Sequence, residues 1–277
     1  MQHKESTFHA SDGVTLYAQS WWPDAAPRGY LALIHGLGEH SGCYHGWAEC
    51  WTQQGIAVLA FDLRGHGKSP GKRGHVPSYE RVLDDMQAFV TDIQQQYGAP
   101  FLYGHSLGGG LVINAGLRPL PVHGIIASGP ALEAAPQPKP KLALGRAMMR
   151  IWPAFSMSNG LRNGDLVHDT VDPVKEGIPD PLLHSRISAT LGIQMLDAGT
   201  GALAAAATYP TPLLIVHGQS DRITSPQASA RFAETARSAG RDVTFIGYPE
   251  WYHEIHRERG RERLLADCLV WMAQHGL

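Results

Sequence analysis

The chain has 277 residues, 43% of them hydrophobic, and its 23 basic and 25 acidic residues give a formal net charge of −2. One large α/β domain with a buried core fits this length, and the lack of a basic field argues against a nucleic-acid partner. The polar first residues and the absence of a long apolar run predict neither a signal peptide nor a membrane span, so we expect a cytoplasmic protein.

The first half of the chain alternates predicted strands with predicted helices. A hairpin is indicated by two strand-like runs, Glu5–Ala10 and Val14–Trp22, on either side of an Asp12-Gly13 turn. Apolar runs predict further strands at Tyr30–Ile34, Ile56–Phe61, Phe101–Tyr103 and Gly124–Ser128. Helices are expected at Tyr44–Gln54, between a Ser78 cap and Gly98, and at Leu107–Leu117.

The composition changes between residues 131 and 208, which carry a proline cluster, a segment with Met and Trp, and an alanine-rich stretch. This part lacks strand-type runs, so we expect a helical cap inserted between core residues 1–130 and 209–277. After it, strands are predicted at Leu213–His217 and Val243–Ile246, and helices at Pro226–Ala239 and Arg261–His275. The alternation predicts an α/β fold with a mainly parallel central sheet flanked by helices.

The segment Gly104-His105-Ser106-Leu107-Gly108 joins a predicted strand to a predicted helix and fits the G-x-S-x-G nucleophile elbow. Glycine two positions before and after the serine lets the two elements approach closely and holds Ser106 in strained backbone angles. The start of the following helix directs N–H groups toward whatever the hydroxyl attacks. We therefore predict that Ser106 is a nucleophile, with an ordinary glycine-rich turn as the alternative.

A serine nucleophile needs a base, and the base needs an acid to orient it. In the α/β-hydrolase layout these follow later strands, in the order Ser, acid, His. Asp221 follows the strand Leu213–His217, and His253 follows the strand Val243–Ile246. Because the carboxyl ends of parallel strands meet at one edge of the sheet, we predict a catalytic triad of Ser106, Asp221 and His253.

Other residues compete for these roles. Taken alone, Asp221 fits an Asx-turn or a helix cap, and His253 fits a surface histidine. The rivals are His256 for the base and Glu250 or Asp172 for the acid. Asp62 also ends a strand, but it precedes Ser106, so we assign it a structural role in its loop together with Arg64.

The oxyanion of the tetrahedral intermediate needs donors that are already in position. The backbone N–H of Leu107, directly after the nucleophile, is the first candidate. The second is the N–H of Leu37 in the turn His35-Gly36-Leu37-Gly38, unless these glycines serve only to make the turn tight.

No metal site is predicted. The three cysteines, Cys43, Cys50 and Cys268, form no C-x-x-C pair. His253 and His256 lie three residues apart, whereas the H-E-x-x-H zinc motif needs four.

Four motifs of the chain are together much more specific than the elbow alone. They are His35-Gly36-Leu37-Gly38-Glu39-His40-Ser41-Gly42, Asp62-Leu63-Arg64-Gly65-His66-Gly67, Gly104-His105-Ser106-Leu107-Gly108-Gly109 and Tyr252-His253-Glu254. With these motifs the chain resembles the monoacylglycerol lipase and lysophospholipase family of serine α/β-hydrolases. The segments Asp172-Pro173 to Asp180-Pro181-Leu182 and His184–Ser188 resemble the cap of that family, so the similarity covers nearly the whole chain.

The resemblance implies an α/β-hydrolase fold that hydrolyses a single-chain fatty acyl ester, with no cofactor and with a mobile cap over an apolar acyl tunnel. It also supports the predicted triad and oxyanion donors, and it implies that Glu39 and His256 lie near a glycerol headgroup. One departure concerns the motif that usually continues Ser-Gly-Arg-Tyr, because this chain has Ser41-Gly42-Cys43-Tyr44. The missing arginine leaves the headgroup assignment open.

The cap offers adaptable apolar residues, of which we name Met148, Met149 and Trp152 as candidates for the tunnel. Arg146 and Arg150 lie four residues apart, on one face of a helix. A basic amphipathic helix of this kind can rest on a lipid surface and pass substrate inward. The alternative, slightly favoured, is a cap helix that packs on its own core. The oligomeric state is left open.

The leading hypothesis is a serine hydrolase that cleaves monoacylglycerols to fatty acid and glycerol through an acyl-enzyme on Ser106. A lysophospholipase or a broad carboxylesterase with the same triad is the alternative. Dehalogenation and epoxide opening usually need a carboxylate nucleophile, which Ser106 does not provide. A non-catalytic binding protein is the remote alternative, since it would be expected to have lost a catalytic residue.

Overall fold

The computed structural model describes residues 1–134, 138–170 and 180–277. The features noted at Asp172-Pro173, including the rival acid Asp172, lie outside these ranges.

A sheet of eight strands forms the centre of the fold. The strands of the described residues are β1 Gln2–His9, β2 Thr15–Trp22, β3 Gly29–Ile34, β4 Ile56–Phe61, β5 Phe101–His105, β6 Gly124–Ser128, β7 Ser156–Ser158, β8 Arg186–Ser188, β9 Leu213–Gly218 and β10 Val243–Tyr248. The order in the main sheet is β1-β2-β4-β3-β5-β6-β9-β10, in which β2 runs antiparallel to β1 and β4 and the other neighbours are parallel. The predicted mainly parallel sheet is confirmed.

Helices cover both faces of this sheet. The α-helices of the described residues are α1 His45–Gln53, α2 Tyr79–Tyr97, α3 Leu107–Ala115, α4 Lys139–Ile151, α5 Ala189–Ala205, α6 Pro226–Ser238 and α7 Arg261–Gln274. Of these, α4 packs on α5 and not on the sheet. Apolar side chains of α1 and α7 pack on one face, and those of α2, α3 and α6 pack on the other. Ser78 caps α2 as predicted, because its hydroxyl accepts a hydrogen bond from the N–H of Arg81 at 3.0 Å.

The inserted part differs from the expectation in one respect. It contains the short antiparallel strands β7 and β8, whereas the sequence indicated no strand there. A strand of three residues is too short to produce a recognisable alternation of side chains. Leu191 and Ala202 of α5 belong to the same hydrophobic cluster as α2 and α3, so part of the insertion packs on the core.

The helices were also compared with the length and hydropathy of membrane-spanning helices. None of those within the described ranges has the length and the hydropathy that crossing a bilayer requires.

Candidate active site

Ser106 lies in a sharp turn between β5 and α3, with φ of 57° and ψ of −115°. Glycines make this turn sterically accessible: a Cβ on Gly104 would lie 2.2 Å from the carbonyl oxygen of Gly108. A Cβ on Gly108 would lie 2.3 Å from the carbonyl oxygen of Ile34 in β3. The local sequence therefore places the serine hydroxyl above the carboxyl end of the sheet, in backbone angles that few side chains adopt.

The structure brings the three residues of the predicted triad together. The Nε2 of His253 lies 2.8 Å from the Oγ of Ser106, and its Nδ1 lies 2.7 Å from the Oδ2 of Asp221. Asp221 lies on the loop after β9, and His253 lies on the loop after β10. This arrangement allows the imidazole to take a proton from the serine hydroxyl while the carboxylate orients the ring.

Asp221 accepts more hydrogen bonds than the sequence indicated. Its Oδ1 accepts the N–H groups of Ile223 at 2.7 Å and Thr224 at 3.1 Å. Its Oδ2 faces the Thr224 hydroxyl at 2.8 Å and the Nε2 of His217 at 3.0 Å. Ile223 lies two residues after Asp221, which is the spacing of an Asx-turn and was a usable signal, whereas His217 had none beyond its position at a strand end.

Asp221 and His253 each shift the pKa of the other toward the charged form. Burial acts to raise the pKa of Asp221, but the charge of His253 and the hydrogen bonds from His217 and His253 outweigh it, so this pKa lies well below its usual range. Burial acts to lower the pKa of His253, and the adjacent Asp221 outweighs that effect, so the pKa of His253 lies above its ordinary value. Asp221 is therefore ionised at neutral pH and can stabilise an imidazolium on His253.

The turn after β3 carries the candidate oxyanion donor Leu37. His35, fully buried, fixes the turn, because its Nδ1 lies 2.8 Å from the carbonyl oxygen of Gly36 and its Nε2 accepts the N–H of Leu63 at 2.9 Å. Leu37 and Leu107 line the same cavity as Ser106. Leu107 is the first residue of α3, so its N–H has no acceptor within that helix. The oxyanion role of both N–H groups stays a prediction.

Glu39 lies beside the nucleophile. Its Oε2 accepts hydrogen bonds from the N–H of Gly36 and the hydroxyl of Tyr44, both at 2.8 Å. A Cβ on Gly36 would meet both the Glu39 carboxylate and the Cβ of Ser106, so the two side chains flank this glycine. Burial and the charge of Glu254 raise the pKa of Glu39 to about 7.

His256, the other headgroup candidate and the rival base, is almost completely buried. Its ring stacks on Tyr44 with 4.9 Å between centroids, and its Nδ1 has no hydrogen-bond partner among the described residues. Burial lowers the pKa of His256 well below its ordinary value. His253 lies within hydrogen-bond distance of the Oγ of Ser106, which favours it over His256 as the base. Both that role of His253 and the headgroup role of His256 stay predictions. The rival acid Glu250 is exposed.

A cavity of about 400 Å³ opens above Ser106, between the sheet edge and the insertion. Apolar residues of α4 and α5 form much of its wall, among them Leu142, Met148, Ile193, Met195 and Leu196. Of the three tunnel candidates, only Met148 lines this cavity. Met149, the next residue along α4, is not part of its lining, and neither is Trp152, which follows the end of α4 and is 56% exposed.

The many histidines of the chain do not assemble into a metal centre in the part that the structure describes. No group of three or more His, Cys, Asp or Glu side chains there is placed to hold a metal ion.

Comparisons with known proteins agree with the fold. The family model of the serine aminopeptidase S33 hydrolases (Hydrolase_4) matches residues 25–260. An uncharacterized abhydrolase domain-containing protein of Dictyostelium discoideum is 35% identical over 99% of the chain, which spans 29% of that relative's length. The monoacylglycerol lipase of Mycolicibacterium smegmatis is 32% identical over 98% of this chain and 97% of its own. The crystal structure of the monoacylglycerol lipase of Paleococcus ferrophilus superposes with a TM-score of 0.83 and 38% identity, covering 94% of this chain and 99% of that one.

Proposed function

The chain belongs to the serine aminopeptidase S33 (Hydrolase_4) family and is a carboxylic ester hydrolase with an α/β-hydrolase fold, and on this premise we propose that it hydrolyses monoacylglycerols with Ser106 as nucleophile. The observation that carries the proposal is the 2.8 Å contact between Ser106 and His253 at the base of an apolar cavity. A fatty acyl chain would occupy that cavity, and its carbonyl carbon would lie against the serine hydroxyl.

The proposed reaction has two halves. The Oγ of Ser106 attacks the acyl carbonyl carbon while the Nε2 of His253 takes the hydroxyl proton, and the N–H groups of Leu37 and Leu107 receive the oxyanion. His253 then gives the proton to the departing glycerol oxygen, which leaves an acyl-enzyme. Water then attacks the acyl carbonyl carbon while His253 takes a proton from it. His253 returns that proton to the Oγ of Ser106 as the bond to the acyl group breaks, which releases the fatty acid. Asp221 stabilises the imidazolium in both halves.

The surroundings of Ser106 favour a neutral headgroup. Glu39 and Glu254 are acidic, and the position where the resembled family carries an arginine holds Cys43, which is exposed. Glu254 is paired with Arg257 at 2.7 Å, but Glu39 accepts hydrogen bonds from the Gly36 N–H and the Tyr44 hydroxyl, so an anionic phosphate would meet the carboxyl group of Glu39. We therefore favour glycerol esters over lysophospholipids as substrates.

The test compares initial hydrolysis rates on monoacylglycerols of graded chain length, on lysophosphatidylcholine and on a short aryl ester. We expect the highest kcat/KM on monoacylglycerols and a loss of at least about a thousandfold in Ser106→Ala. A preference for lysophosphatidylcholine would overturn the substrate class while leaving the triad in place. Activity that survives in Ser106→Ala would overturn the nucleophile.

The insertion is also the proposed site of transient contact with a lipid surface. Leu144, Ile151 and Trp152 of the α4 region are all more than half exposed. Arg146 is paired with Asp197 of α5 at 2.6 Å, so Arg150 is the α4 arginine that we assign to the lipid side. Sedimentation with phosphatidylcholine vesicles checks this: Ile151→Asp should reduce the bound fraction, and equal binding would contradict the proposed contact.

A further inference from the structure

His217, at the end of β9, contacts the same carboxylate oxygen as the proposed catalytic base. Its Nε2 lies 3.0 Å from the Oδ2 of Asp221, and the Nδ1 of His253 lies 2.7 Å from that oxygen. The side chains of His217 and Asp221 are fully buried. Two imidazole rings therefore contact the same carboxylate oxygen of Asp221. Of the two, only the ring of His253 also contacts the Oγ of Ser106.

The partners of His217 determine which of its nitrogens carries the hydrogen. An ionised Asp221 only accepts hydrogen bonds, so the Nε2 of His217 must donate. The Nδ1 lies 2.9 Å from the hydroxyl of Ser229, a buried residue of α6, which then donates to the ring. Burial lowers the pKa of His217 and outweighs the influence of Asp221. The ring is therefore neutral, with a fixed tautomer and a partner at each end.

We propose that His217 is a positioning residue that holds the Asp221 carboxylate toward His253, so that the working unit is the chain Ser106–His253–Asp221–His217–Ser229. The inference rests on the proposed role of the triad and is independent of the lipid substrate. A donor on the outer side of the carboxylate restrains its rotation. It also shares the charge of Oδ2, which limits how strongly Asp221 stabilises an imidazolium on His253.

Other titratable groups face His253 as well and remain unchanged in every variant used below. They are His105 from β5, Glu39 from the loop after β3, and Glu254 and His256 from the loop of His253 itself. A change that follows substitution of His217 therefore arises from its own contacts, which are Asp221, the Thr224 hydroxyl at 3.3 Å and Ser229.

His217→Leu removes the donor and leaves an apolar side chain in a buried place. Asp221 then interacts more strongly with the imidazolium, so the acidic limb of the rate profile moves to higher pH, and poorer orientation slows acylation about tenfold. His217→Gln can still donate to Asp221 and should keep the wild-type profile. Ser229→Ala removes only the hydrogen bond to the Nδ1 of His217. It should shift the acidic limb in the same direction by a smaller amount.

His275→Leu is the matched control. His275 also lies 3.0 Å from a carboxylate oxygen, that of Asp242, and its Nδ1 lies 2.7 Å from a carbonyl oxygen. Asp242 precedes β10, so this pair lies at the opposite edge of the sheet from Ser106. We expect its removal to leave the profile unchanged.

The measurement is the rate constant for labelling of Ser106 by a fluorophosphonate as a function of pH, which needs no lipid. A wild type that is not labelled would refute the triad itself. A wild type that is labelled but inactive on monoacylglycerols would refute only the proposed substrate. We expect the acidic limb of the pH profile to move to higher pH in His217→Leu. In His217→Gln and His275→Leu it should keep its wild-type position. A uniform fall in rate without a shift would overturn the proposal, because packing alone explains it.

If His217→Leu does not fold, nitrogen NMR of the labelled histidines in the wild-type protein decides the question. We expect His217 to carry its hydrogen on Nε2 and to stay neutral over the pH range in which His253 titrates. A His217 ring with its hydrogen on Nδ1, or one that titrates together with His253, overturns the proposal.

Discussion

Glu39 places a carboxyl group in a position where its charge is unfavourable. Burial and the charge of Glu254 raise its pKa from 4.5 to about 7, although Gly36 and Tyr44 donate hydrogen bonds to it. A carboxyl group whose pKa is higher in the folded state costs stability as the pH rises through that interval. The residue is thus better explained by the proposed contact with a substrate headgroup than by a contribution to folding.

Glu39→Gln is expected to be more stable than the wild type at pH 7 and above, and equally stable below pH 4.5. The amide oxygen still accepts from Gly36 and Tyr44, while the unfavourable ionisation is removed. The difference in the free energy of unfolding should grow across this interval to at most about 3 kcal/mol, as measured by urea denaturation. Glu49→Gln, an exposed carboxyl group on α1, is the control. A difference that does not change with pH contradicts the role of ionisation.

An individual residue of the site can be predicted where a motif specifies both its side chain and its backbone conformation. The elbow glycines, the strand ends and the order along the chain together point to Ser106, Asp221 and His253 from the sequence alone. No such motif marks His217 or Ser229. Their contact depends on how α6 packs against the end of β9, and a local sequence pattern does not encode that packing.

At the scale of elements, Glu258 joins the insertion to the loop that carries His253. Its carboxylate accepts the backbone N–H groups of His168 at 2.7 Å and Asp169 at 2.9 Å from the insertion, and that of Tyr252 at 2.9 Å, directly before His253. Glu258 is only 1% exposed. One buried side chain therefore braces the histidine loop against a segment about ninety residues earlier in the chain.

Glu258→Gln keeps the size of this side chain but cannot accept hydrogen bonds at both ends. In either orientation its NH2 group opposes a backbone N–H, which should cost about 1–3 kcal/mol of stability. We expect a loosened histidine loop, seen as faster hydrogen exchange over residues 250–258, and a fall of about tenfold in kcat/KM on a short ester. Glu262→Gln, an exposed neighbour on α7, should change neither. Unchanged exchange in the loop would show that Glu258 does not brace it.

At the scale of the whole molecule, the sheet was predictable and the attachment of the insertion was not. Continuous apolar runs such as Ile56–Phe61 identify buried strands, because both faces of a parallel sheet are covered by helices. The insertion meets the core through long-range contacts instead. The N–H of His184 donates to the carbonyl oxygen of Gly38 at 3.0 Å, and Asp180 lies 2.9 Å from the Nε2 of His40. Nothing in the local sequence pairs these residues.

The fold creates the cavity by setting the insertion over the carboxyl edge of the sheet, so the shape of α4 should determine which acyl chains fit. Met148→Phe adds volume to the wall of a cavity of about 400 Å³, while Met149→Phe makes the same change on a neighbouring residue that does not line it. Crowding of this kind costs about 1–3 kcal/mol. Met148→Phe should therefore lower kcat/KM on long-chain monoacylglycerols about tenfold and leave a short aryl ester unaffected, whereas Met149→Phe should alter neither rate. Equal effects of the two substitutions would mean that the acyl chain lies elsewhere.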